Sequence, residues 1–99
     1  MKNTWETKPK KFKKHNGFPI EDLWSLDHWL ARELSKRLLV WIDMGPTGYP
    51  VNMTYEEWVS QLKLAAESLH NYSIDSDRYF DEGRGAMRWV SDNFEHLWD

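Results

Sequence analysis

The sequence predicts an all-α protein: a compact three-helix domain behind an extended, basic N-terminal arm. Three observations predict it. Apolar residues recur at three- and four-residue steps through three stretches, the spacing of one helix face. Glycine and proline clusters separate those stretches. No segment sustains the alternation of a half-buried strand. At 99 residues the chain makes one domain. It divides into an irregular arm over residues 1–19 and a helical body over residues 20–99.

The arm comes first. Pro9, Gly17 and Pro19 oppose a helix, and its lysines have little to bury. Residues 1–14 hold six lysines and one acid, whereas the rest holds seven basic and fifteen acidic residues. A basic arm is thus attached to an acidic body, and the whole carries a net charge of −3. Lys8, Lys10, Lys11, Lys13 and Lys14 are the candidates for contact with nucleic acid or an acidic partner. Trp5 and Phe12, interleaved among them, could stack on bases or dock in a pocket. A solvated tail, or one folded back on the acidic body, fits the same charges.

The first helix is expected over residues 21–43. Glu21 and Asp22 supply negative charge at its start. Leu23, Leu26, Leu30, Leu34, Leu38 and Trp41 form its stripe, widened by Trp24, Ala31, Leu39 and Ile42. So wide an apolar face predicts the central helix, packed on more than one side. Gly45 then suits the helix end, and Pro46 stops continuation. No strand precedes this loop and no Gly-Lys-Ser/Thr follows, so it is not read as a phosphate cradle.

Thr54 and Glu57 make a capping box for the second helix, with Met53 and Trp58 placed for a hydrophobic staple. Tyr55, Trp58, Val59, Leu62, Ala65, Ala66 and Leu69 share its face, and it should end near residues 70–72. Residues 73–77 read as a turn and a new N-cap. Tyr79, Phe80, Met87, Val90, Phe94, Leu97 and Trp98 carry the third stripe. Gly83 and Gly85 interrupt it, each costing about 1 kcal/mol in a helix interior. The third helix is therefore either weakened there or split in two, and the small residues would let a neighbour approach closely.

Motifs for chemistry are missing. With no cysteine, disulfides and thiolate metal sites are excluded, and a reducing cytoplasm is the simplest home. The longest apolar run, residues 38–42, is far short of a membrane span. His15, His28, His70 and His96 lie too far apart in sequence for a helical metal pair. No serine sits in a Gly-x-Ser-x-Gly elbow. A carboxylate pair such as Glu57 with Asp27 is conceivable, but fifteen acids on a small body produce such pairs by chance. Asp27, near the apolar stripe, needs a partner: an indole N–H, Arg84 or Arg88. No catalytic residue, cofactor or metal is assigned.

Seven tryptophans are the strongest compositional signal. Trp41 and Trp58 fit the stripes as core. Trp5, Trp29, Trp89 and Trp98 are the candidates for an exposed surface that binds a protein partner or a second copy.

Several stretches together resemble a small uncharacterised protein family common in tailed-bacteriophage genomes. They are Gly17-Phe18, the run from Asp22 through Leu23-Trp24-Ser25-Leu26-Asp27-His28-Trp29-Leu30 to Ala31, then Gly48-Tyr49-Pro50, Thr54 with Glu56-Glu57-Trp58, and finally Leu97-Trp98-Asp99. The likeness covers residues 16–99. The lysine-rich leader and Gly83-Arg84-Gly85 depart from it. It implies a phage origin, an all-helical fold and a setting in the cytoplasm of an infected bacterium, with no activity to carry over. The expectation is a non-enzymatic phage accessory protein that binds a host or phage protein through exposed tryptophans. The alternatives are a nucleic-acid-associated protein using the lysine arm and a virion or assembly component.

Overall fold

The computed structural model describes residues 25–97, together with the backbone of Lys14, His15, Phe18 and Pro19. Three helices make the body: α1 (Leu26–Met44), α2 (Tyr55–Ile74) and α3 (Phe80–Asp92), followed by one 3₁₀ turn over Phe94–His96. Two short strands, β1 (Lys14–His15) and β2 (Phe18–Pro19), pair antiparallel with Lys14 opposite Pro19. Asn16-Gly17 stands between them, a dipeptide suited to a two-residue hairpin turn that the sequence reading passed over. The rest of the arm lies outside the described residues, as do Trp24 and Leu23.

Local chemistry sets the helix ends. The described part of α1 begins at Leu26 with Ser25 at its N-cap, later than the expected start at residue 21. It stops at Gly45, whose φ of 87° only glycine adopts readily and whose N–H donates to the carbonyls of Trp41 and Ile42. The capping box forms as expected. Thr54 Oγ1 accepts from the Glu57 N–H at 3.1 Å, and the Thr54 N–H donates to Glu57 Oε1 at 2.7 Å. Helix α2 runs two residues beyond the expected end, to Ile74, because nothing before Asp75 breaks it. Asp75 Oδ1 then accepts the Arg78 N–H, opening the turn into α3.

The helices run up, down and up. Asp27 at the start of α1 meets Tyr72 near the end of α2, and α3 reverses so that Trp89 meets Gln61 near the start of α2. Helix α2, not α1, is the central element, with α1 on one side and α3 on the other. Trp58, Leu62, Ala65, Ala66 and Leu69 of α2 are all buried. Each helix beside it contributes small residues at the closest approach: Ala31 and Ser35 from α1, Gly83 and Ala86 from α3. Buried Ser35 satisfies its hydroxyl on the Arg32 carbonyl.

The expected stripe of α1 is displaced. Ala31, Leu34, Ser35, Leu38, Trp41 and Ile42 face the core, whereas Leu26 and Leu30 are exposed. The small residues in the buried line, Ala31 and Ser35, let α1 pack close to α2; a line of leucines would hold it off. Trp58 is the largest fully buried side chain. Its ring stacks on Trp89 at 5.3 Å, and the His96 ring stands nearly perpendicular at 6.3 Å. Its indole N–H has no hydrogen-bond acceptor among the described residues.

Helix α3 is unbroken through both glycines, so the split is not seen. Gly83 explains itself by packing. A Cβ there would fall 2.7 Å from Tyr72 Cγ and 2.9 Å from Tyr72 Cβ, closer than real contacts allow. Gly85, two residues on, faces open space. The two glycines should therefore respond oppositely to alanine. Gly85→Ala should stabilise the fold by about 0.5–1 kcal/mol through helix propensity. Gly83→Ala should destabilise it by about 1–3 kcal/mol through overpacking. Urea unfolding of the two variants checks this, and equal shifts would contradict the close approach.

Candidate functional site

Tyr72 closes one end of a cleft in which all three helices take part. The cleft encloses about 370 Å³ and is lined by Leu30 and Ala31 of α1, Leu69 of α2, and Gly83 and Met87 of α3. Asp27, Tyr72, Arg84 and Arg88 complete its lining. The volume lies at the low end for a ligand pocket and admits one large side chain or a small molecule. Ala31 and Leu69 are buried beneath it, and Leu30 forms an exposed lip.

The lining carries charges of both signs. The Tyr72 hydroxyl donates to Asp27 Oδ2 at 2.6 Å. That hydrogen bond holds the Asp27 carboxyl below the usual carboxylate range and pushes the Tyr72 phenol up. His28 Nε2 stands 3.8 Å from the same carboxylate oxygen, and its ring meets Tyr72 edge-on at 5.7 Å. Asp27 therefore takes a tyrosine as its hydrogen-bond partner, not the indole or arginine expected. Arg84 and Arg88 are one turn apart on α3, both exposed. Arg84 lies over the Phe80 ring, 5.5 Å from its centroid.

Both shifts in the Asp27–Tyr72 pair lead away from neutrality, where a general acid and base need values near the working pH. Glu57 is not beside Asp27. It caps the start of α2, about 22 Å along the helix from Tyr72 at 1.5 Å per residue. Among the described residues no three His, Asp or Glu side chains gather where a metal could be held. No helix of the described residues is long and apolar enough to cross a membrane.

Of the tryptophans expected on a binding surface, the two described, Trp29 and Trp89, do not line this cleft. Trp89 is half-buried, stacked on Trp58, with its indole N–H donated to Gln61 Oε1 at 2.8 Å. Its remaining surface lines a second groove between α2 and α3 with Leu64, Ala65 and Ala86. Trp29 is half-buried on α1, turned away from the line of Ala31, Ser35 and Leu38. The two stand on different helices toward opposite ends of α2. Trp5 and Trp98 lie outside the described residues, and so do Lys8, Lys10, Lys11 and Lys13; Lys14 is described only as a backbone in β1.

Tyr72 is the residue that sequence reasoning missed. It sits 45 positions from Asp27, and nothing local marks the pair. Arg84 and Arg88 were legible only as candidate partners for Asp27, and the structure places them in the lining of the same cleft without pairing them to it.

Removing the hydroxyl with Tyr72→Phe should let the Asp27 carboxyl return toward about 3.9. Because the folded value is depressed, the contact stabilises at neutral pH and its contribution is lost as pH falls through that lowered value. Solvent exposure limits the loss to about 1 kcal/mol or less. Carboxyl-detected NMR titration reads the shift, and an unchanged Asp27 pKa would contradict the bond.

Against known proteins the chain stands by itself: no family model, curated protein or solved structure matches it.

Proposed function

We propose that this protein is a small non-enzymatic binding module that captures a segment of another protein in the three-helix cleft. One observation carries the reading: a cleft with an apolar floor and a rim of two neighbouring, exposed guanidiniums. Such a site fits an apolar side chain flanked by an acidic residue. The apolar side chain would cover Leu30, Ala31, Leu69 and Met87, while the carboxylate pairs with Arg84 or Arg88. Among the described residues neither arginine is engaged by a carboxylate. Asp27 is already engaged by Tyr72 and would shape the wall.

The motif resemblance to a phage family supports a setting inside an infected bacterium, with a host or phage protein as the partner. The cleft, rather than a tryptophan surface, is the better-defined place for that contact. Nucleic-acid binding through the lysine arm is the reading that the same experiment opposes to it.

The tagged chain should retain one dominant protein from nuclease-treated host lysate. Arg84→Glu combined with Arg88→Glu should weaken that capture by at least about tenfold, since both side chains are exposed and their reversal leaves the core alone. Lys63→Glu, on an exposed part of α2 away from the cleft, should leave it unchanged. Undiminished capture by the correctly folded double variant would defeat the cleft. Retention of nucleic acid alone when nuclease is omitted, lost on deletion of residues 1–14, would transfer the function to the arm.

A further inference from the structure

Helix α1 carries an apolar line on the side that neither α2 nor α3 covers. Leu26, Leu30, Val40 and Met44 are 51, 41, 59 and 75 % exposed. Their spacing, completed by Glu33 and Arg37, alternates four and three residues: 26, 30, 33, 37, 40, 44. That is the heptad seam of a two-stranded coiled coil, on a helix about 28 Å long at 1.5 Å per residue.

The line is self-complementary when reversed. Turning a second α1 end for end about the level of Ser35 sets Leu26 opposite Met44, Leu30 opposite Val40, and Glu33 opposite Arg37. Every apolar position meets an apolar one, and every charge meets its opposite. Within one chain Arg37 already reaches Glu33 Oε1 at 2.7 Å, and Arg32 and Lys36 lie within 3.3 Å of its other oxygen. These three cations hold the Glu33 carboxyl down to about 2, so the acid stays charged over the whole working range. A parallel arrangement in the same register would instead stack Glu33 on Glu33 and Arg37 on Arg37.

We propose that this face of α1 is a homodimer interface, in which two copies pair their first helices antiparallel around a two-fold axis at the level of Ser35. The outer layers, Leu26 with Met44 and Leu30 with Val40, supply the apolar contact. The central Glu33–Arg37 layers fix direction and register, at a cost in affinity that polar seam positions carry. Arg32 and Lys36 add further positive charge there, which keeps the association modest. The interface is isologous and closes at two copies. It is independent of the proposed partner cleft except at Leu30, which borders both.

Sedimentation of the full chain from about 1 μM to about 1 mM tests this. The expected result is a reversible shift from the 11.9 kDa protomer to twice that mass. Val40→Lys and Met44→Lys, both at exposed positions, should each weaken dimerisation by at least about tenfold. Glu33→Arg alone and Arg37→Glu alone should also weaken it, whereas the double exchange, which keeps opposite charges facing, should restore it. The chain has no cysteine, so direction can be read by cross-linking. A mixture of Leu26→Cys and Met44→Cys proteins should form the 26–44 disulfide in preference to 26–26 or 44–44. A monomer at every concentration would overturn the proposal, as would a dimer indifferent to Val40→Lys or a predominance of 26–26 links.

Discussion

Tyr72 joins all three helices, and the cleft at that end of the molecule depends on it. Its ring packs where Gly83 has no side chain, drawing α3 against the end of α2. Its hydroxyl reaches across to Asp27 on α1. The cleft is the space left over once these two contacts are made. A bulkier residue at position 83 would push α3 outward, and a shorter one at 72 would leave Asp27 without its donor. The glycine's cost to helix propensity is thus offset by a tertiary contact that places Met87, Arg84 and Arg88 in one cleft with Asp27.

The core follows from the central position of α2. A helix buried on two sides needs a wide apolar face with small residues at the crossings, and α2 has both in Trp58, Leu62, Ala65, Ala66 and Leu69. Helix α1 has a wide face too, but among the described elements it packs closely against α2 alone. It can bury one line, and the line with Ala31 and Ser35 fits closest. Its other apolar residues are left at the surface. The exposed seam of α1 and the lip of the cleft are consequences of the same shortage of partners within one chain.

The cleft and the exposed seam of α1 differ in how the sequence encodes them. The α1 seam is visible in the sequence as a heptad, since Leu26, Leu30, Val40 and Met44 fall at its spacing around Glu33 and Arg37. What hid it is overlap: helix residues at three- and four-residue steps trace several adjoining lines, and Leu30 belongs to one while Leu34 belongs to another. Only burial separates them. The cleft had no such trace. Asp27, Tyr72 and Arg88 are far apart in the chain, and no spacing rule links residues on three different helices.

The sequence by itself determined what depends on neighbours within a turn or two of helix. Gly45 and Pro46 end α1, Thr54 and Glu57 start α2, and the apolar periodicity makes the body helical. These are short-range steric and hydrogen-bonding effects, so they act before any helix meets another. Tertiary structure decided the rest. It made α2 central instead of α1, drew Trp89 partly into the core against Trp58, and kept α3 continuous across Gly83. Each outcome turns on how closely two helix surfaces approach, and that is set jointly by side chains distant in sequence, which no local pattern encodes.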